Sequence, residues 1–147
     1  MKPVYYLSFL LLLLFACKQL AYVSTDKGGC NDMGEKQLAA KRSLESKPDS
    51  VYYTISEDTL SIHVGINYIC CAPFTTSASI EQNLISMEVI DTCSPPTFNC
   101  YCRCMCYYTF DFNFNDFEAK EYQYELYLKE ARTPTPKLID KGVINRN

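Results

Sequence analysis

Nine cysteines carry most of the chemistry this chain can offer. Cys17 closes an apolar run and is taken up below. The other eight are Cys30, Cys70, Cys71, Cys93, Cys100, Cys102, Cys104 and Cys106. The last four alternate with other residues and lead into Tyr108, Phe110, Phe112 and Phe114. A strand sends alternate side chains to one face, so the four thiols and three phenyl rings are expected to share a side. Cysteines two apart on a strand have Cα atoms roughly 7 Å apart and parallel Cβ vectors, whereas a disulfide wants about 5.5–6 Å. Each therefore needs a partner elsewhere. Four cysteines lie outside the run (Cys30, Cys70, Cys71 and Cys93), and pairing four with four would add roughly 2–4 kcal/mol per bridge. One obstacle is that Cys70 and Cys71, if extended, point to opposite faces. Two alternatives stand beside the disulfides. A thiolate set from Cys100, Cys102, Cys104 and Cys106 suits zinc or cuprous copper. Buried cysteines can also pack as small hydrophobes.

Other catalytic patterns are missing. The chain has no C-x-x-C dithiol, no phosphate-binding loop and a single histidine, His63, which alternation places on the strand face opposite Cys70. No residue set defines an enzyme, and no cofactor is expected. Asp111 and Asp116 flank the end of the aromatic run, but their spacing matches no calcium loop.

The start of the chain sets the compartment. Lys2 is followed by an apolar run from Val4 to Ala16 that contains Leu10, Leu11, Leu12, Leu13 and Leu14. Crossing a bilayer takes roughly twenty such residues, so the run has the length of a signal-peptide core. It ends Leu14-Phe15-Ala16-Cys17, which resembles the lipobox of bacterial lipoproteins. That resemblance implies cleavage after Ala16, a diacylglyceryl group on the Cys17 thiol and acylation of the new amino terminus. Two or more chains give stable attachment without a transmembrane helix. In such proteins an aspartate after the cysteine often marks retention in the inner membrane. Lys18 therefore implies the outer membrane, and the lack of acidic residues in Lys18-Gln19-Leu20-Ala21 implies its periplasmic face. Export makes disulfides the default for an even cysteine count.

Removing residues 1–16 leaves roughly 130 residues, enough for one domain. The whole chain has 14 basic and 17 acidic residues. Loss of Lys2 takes the net charge to about −4, which argues against nucleic acid, since that needs a basic face. Twelve Tyr and eight Phe supply core volume in the absence of Trp.

Residues 17–50 are polar and mixed. Ser24–Gly29 reads as a tether, and 35–45 as a short helix. From residue 51 the apolar period becomes two. Strands are expected over 51–55, 60–70, 75–82, 84–92, 100–114, 122–128 and 137–144, joined by turns and with no crossover helices. That predicts an all-β antiparallel sandwich over 51–147. The stretch Phe110–Leu128, with Phe117, a short corner and Tyr122, resembles immunoglobulin-like and fibronectin type III domains. It implies that Tyr122 is their corner tyrosine. The chain as a whole is similar to small uncharacterised lipoproteins of Gram-negative bacteria, a likeness that brings no activity with it. Tyr101, Tyr107 and Tyr127 are expected on the outer face as a contact patch. The expected function is a non-enzymatic binding or structural module of the cell envelope. It would be held to the membrane through Cys17 and would contact another envelope protein or a glycan.

Overall fold

A computed structural model describes residues 19–29, 48–94, 99–118, 120–133 and 135–145. The signal segment, Cys17, Cys30 and the expected helix at 35–45 lie outside them. Among the described residues, eight strands form two four-stranded sheets. The first sheet has the order β1 (Ala21–Gly29), β6 (Met105–Asn115), β3 (Thr59–Ile69), β2 (Ser50–Ser56), every neighbour antiparallel. The second has the order β4 (Phe74–Glu81), β5 (Leu84–Asp91), β7 (Tyr122–Lys129), β8 (Lys137–Ile144). The fold is therefore an all-β sandwich. Two features differ from the expectation. The strands number eight, because Ser24–Gly29, read as tether, belongs to β1. And β5 runs parallel to β7, with Leu84 beside Gln123 and Ile90 beside Lys129.

Burial follows the period of two. On β3, Leu60, Ile62, Val64 and Ile66 are buried. On β6, Cys106, Tyr108, Phe110, Phe112 and Phe114 alternate with Tyr107, Thr109, Asp111 and Asn113, which are only partly buried. These two strands pair over ten positions, from Leu60 beside Phe114 to Ile69 beside Met105. Across the core, β5 contributes Ile85, Met87 and Val89, and β7 contributes Tyr122, Leu126 and Leu128. Phe74 packs edge-on against Tyr108, Phe110 and Tyr68, with centroids 5.0, 5.5 and 5.2 Å away. Such tilted contacts suit the ring quadrupoles. Leu20, just before β1, is buried in the same core.

The β6–β7 corner keeps half of the immunoglobulin-like resemblance. Phe117 and Tyr122 are buried with ring centroids 5.2 Å apart, and the Phe117 amide donates to the Asp58 carbonyl. The Tyr122 hydroxyl, however, makes no hydrogen bond among the described residues. Among the described residues, the backbone bond that defines a tyrosine corner is not made.

Candidate functional site

The cysteines gather at one end of the sandwich, where β3 stops and β6 begins. β6 starts at Met105, and residues 99–104 are a turn, irregular chain and a bend. The four alternating cysteines therefore do not share one strand face. Cys106 is on the strand and buried, Cys102 and Cys104 are exposed, and Cys100 lies between. Local turn geometry overrides the alternation, because each thiol is drawn to a different partner. Cys70 bonds Cys104, Cys71 bonds Cys102 and Cys93 bonds Cys100. No two neighbours in the run bond each other. Cys106 is disulfide-bonded as well.

The backbone shows how two adjacent cysteines both find partners. Cys70 continues the β3–β6 register opposite Cys104: its amide donates to the Cys104 carbonyl at 3.0 Å, and its own carbonyl accepts from the Cys102 amide at 2.9 Å. Cys71 leaves the strand with φ 66°. This left-handed turn, uncommon for a residue with a Cβ, carries its thiol out to Cys102. The obstacle expected of two opposed faces is removed because Cys71 is not extended.

Three sulfurs converge here. The ligand atoms of Cys70, Cys104 and Cys106 lie within 4.8 Å of one another, with Cys70 and Cys106 buried. The Cys106 sulfur is 2.7 Å from that of Cys70. The thiolate set expected from Cys100, Cys102, Cys104 and Cys106 is thus not the convergent one. Cys70 takes the place of Cys100 and Cys102, which face other partners.

Beside the bridges lies a polar cluster that the sequence pattern does not announce. Asp91 ends β5 at the inward parity set by Ile85, Met87 and Val89, and it is buried. Its Oδ2 accepts from the Tyr68 hydroxyl at 2.9 Å and the Tyr101 hydroxyl at 2.6 Å; its Oδ1 accepts from the Cys93 amide at 2.9 Å. Burial, then donation to Asp91, holds the Tyr68 hydroxyl protonated well above the usual tyrosine range and pushes the pKa of Tyr101 up to about 12. The Arg132 guanidinium sits 5.3 Å over the Tyr101 ring. Extending the parity of β5 by one step points to Asp91. What no single sequence shows is that two tyrosines from other segments meet it.

The three tyrosines expected as one contact patch are separated. Tyr101 is packed at the cysteine end. Tyr107 lies on the outer face of the first sheet, its hydroxyl 2.8 Å from that of Ser50. Tyr127 lies on the outer face of the second sheet and donates to Glu125 at 2.6 Å. Tyr127 does border a shallow depression with Ser77, Ala78, Ser79, Ser86 and Glu88.

His63 lies on the polar face and away from the cysteines, as alternation predicts. Its Nδ1 is 2.8 Å from Asp111 Oδ1 and its Nε2 is 3.1 Å from Thr54 Oγ1, while Tyr52 stacks on its ring at 4.6 Å. The arrangement has the order of a hydroxyl–imidazole–carboxylate relay. It lies on the outer face of the first sheet. Asp111 is held by His63, and Asp111 and Asp116 are not part of the convergent ligand set.

Comparison of the chain with protein families, curated proteins and solved structures finds no match.

Proposed function

We propose that this chain is an exported lipoprotein of the cell envelope, attached through lipid on Cys17, whose sandwich is a non-enzymatic binding or structural module. The observation that carries the reading is the set of disulfides. Three bridges join segments as far apart as Cys70 and Cys104, and such bridges persist in oxidising compartments outside the cytoplasm. The leader and the Leu14-Phe15-Ala16-Cys17 sequence give the route and the anchor. Lys18 favours the outer membrane and its periplasmic face. The partner is another envelope protein or a glycan. No helix among the described residues is long and apolar enough to cross a membrane.

The test is the intact mass of membrane-extracted protein, alkylated without reduction. The reading expects a chain that begins at Cys17, carries three acyl groups and takes up almost no alkylating agent. A chain that begins elsewhere removes the anchor, and extensive alkylation removes the bridges.

A second reading rests on the sulfur trio. If Cys70, Cys104 and Cys106 are reduced, they form a three-thiolate site suited to zinc or cuprous copper. Stoichiometric metal in protein purified under air would favour this reading over the bridged module.

A further inference from the structure

Two of the bridges meet at one point. Cys70 carries on the inward parity of Leu60, Ile62, Val64 and Ile66, and Cys106 shares the inward parity of Tyr108, Phe110, Phe112 and Phe114. Tyr68 lies beside Cys106 in the pairing of β3 with β6, and both cysteines belong to the core. Cys70 is bonded to Cys104, and the Cys106 sulfur lies 2.7 Å from that of Cys70. A disulfide needs about 2.05 Å, so bonding Cys70 to Cys106 takes only a small shift of two side chains. Cys106 already holds a disulfide of its own. The three bridges use six of the nine cysteines and Cys106 is a seventh, which leaves Cys17 and Cys30 as its possible partners within the chain.

The three sulfurs differ in access. Cys104 is exposed, whereas Cys70 and Cys106 are 4% and 9% exposed. Exchange between a thiol and a disulfide depends on which sulfur can be reached. A thiol from solvent therefore meets this cluster at Cys104.

We propose that Cys70, Cys104 and Cys106 form a thiol-capture site, where a low-molecular-weight thiol is bonded to Cys104 while Cys70 is passed to Cys106. This use of the cluster rests on the exported, disulfide-bonded reading above. In the first step the incoming thiolate forms a bond to the Cys104 sulfur. The Cys70–Cys104 bond breaks, and Cys70 leaves as the thiolate. In the second step the Cys70 thiolate forms a bond to the Cys106 sulfur. The former partner of Cys106 leaves as the thiolate and takes up the proton that the incoming thiol gave up. One thiol is consumed and one is released. Two disulfide bonds remain two, so no oxidant or reductant is needed.

The second step sets this cluster apart from the other bridges. After attack on a disulfide, the displaced thiolate stays beside the new mixed disulfide and expels the incoming thiol again. Proximity makes that return fast. Cys71 and Cys102 are both exposed and bonded to each other, so a thiol can attack there too. Among the described residues, however, no other three cysteine sulfurs lie within 4.8 Å of one another. At Cys70 the Cys106 sulfur takes the displaced thiolate, and the captured thiol stays on Cys104. The new Cys70–Cys106 bond still staples the end of β3 to β6. Cys104 precedes β6 and carries its load outside the core.

The test exposes the full chain, in detergent and without oxygen, to a small excess of glutathione. Alkylation stops the exchange, and cleavage at Met105 separates Cys104 from Cys106 for mass mapping. One glutathionyl group should be found on Cys104, with Cys70 joined to Cys106. One cysteine should be alkylated, the former partner of Cys106. With lipid on the Cys17 thiol, Cys106→Ser combined with Cys30→Ser removes that bridge and should lower capture at Cys104 by about tenfold or more. Cys71→Ser with Cys102→Ser should leave capture unchanged. Extensive alkylation before glutathione is added removes the bridges, and the exported reading with them. Three outcomes overturn the capture site and leave that reading in place: intact bridges with no glutathionyl group on Cys104, a glutathionyl group on Cys104 with Cys70 alkylated, or equal capture without the Cys106 bridge.

Discussion

The Tyr101 hydroxyl donates to Asp91 at 2.6 Å, and that contact joins the cysteine loop to the end of β5. Tyr68, from β3 in the other sheet, donates to the same carboxylate oxygen. One buried carboxylate thus ties both sheets and the loop that follows Cys100. A buried charge is tolerated only with such partners, and Asp91 has three.

Tyr101→Phe should lower stability by about 1–2 kcal/mol, because it removes one donor from a buried acceptor. Asp91→Ala should cost more, since Tyr68 and Tyr101 then lose a common acceptor. The alkaline limit follows from the same contact. Tyr101 ionises near 12 in the folded chain against an ordinary value near 10. Between those values the unfolded state has released the proton and the folded state has not. Stability is therefore full below pH 10 and falls as pH rises through 12. Tyr124, raised to about 12 by burial and its bond to Asp140, adds to the same window. Urea unfolding of parent and Tyr101→Phe proteins between pH 9 and 12 checks this. The variant should lose less over that range.

The bridges can be mapped without reduction, because the sequence has a cleavable residue between each pair of neighbours: Tyr101, Arg103 and Met105. Cys93 should be found with Cys100, Cys71 with Cys102 and Cys70 with Cys104. These pairs use six cysteines, and Cys106 is bonded too. If the Cys17 thiol carries lipid, as proposed, Cys30 is the cysteine left to pair with Cys106. Cleavage at Met105 should therefore release Cys106 joined to a peptide containing Cys30. Finding Cys17 in that linkage instead would refute lipidation of its thiol.

The strands were legible because each buries a single face. The alternation of Leu60, Ile62, Val64 and Ile66 places β3 directly, and that of Phe110, Phe112 and Phe114 places β6. That Cys100, Cys102 and Cys104 bond cysteines outside the run was expected from strand spacing, although the strand begins only at Met105 and turn geometry sets the partners. What was not legible depends on register and on the twist of isolated residues. Nothing local tells that β5 lies beside β7, that Tyr68 and Tyr101 converge on Asp91, or that Cys71 turns left-handed. β1 escapes a sequence reading for a related reason. Its residues, from Ala21 to Gly29, carry Ser, Thr, Asp, Lys and two Gly, a spacer composition, and its place is set by pairing with β6.

That place can be tested at Leu20. If β1 is part of the domain, Leu20→Ala removes a side chain from the shared core and should cost about 2–3 kcal/mol, the lower part of the range for such truncations. Val23, on β1 but exposed, should tolerate alanine within about 0.5 kcal/mol. Equal urea midpoints for both variants would return 21–29 to the role of a spacer.

The last prediction concerns the outer face of the first sheet. Gly65 lies between Ser50 on β2 and Thr109 on β6, and the Tyr107 ring lies across it. A Cβ at Gly65 would overlap the Tyr107 hydroxyl, so the ring must swing away and lose its 2.8 Å contact with Ser50. An aromatic side chain covering a strand glycine restores packing that the glycine lacks, and here it also ties β6 to the edge strand β2 across β3. Gly65→Ala should therefore destabilise the domain by about 1–3 kcal/mol, as overpacking does. With Tyr107 already changed to Ala, the same substitution should cost almost nothing or stabilise slightly, because alanine is better than glycine in a strand by roughly 0.5–1 kcal/mol. A double-mutant cycle on urea midpoints measures the difference. Additive effects would show that Tyr107 does not rest on Gly65.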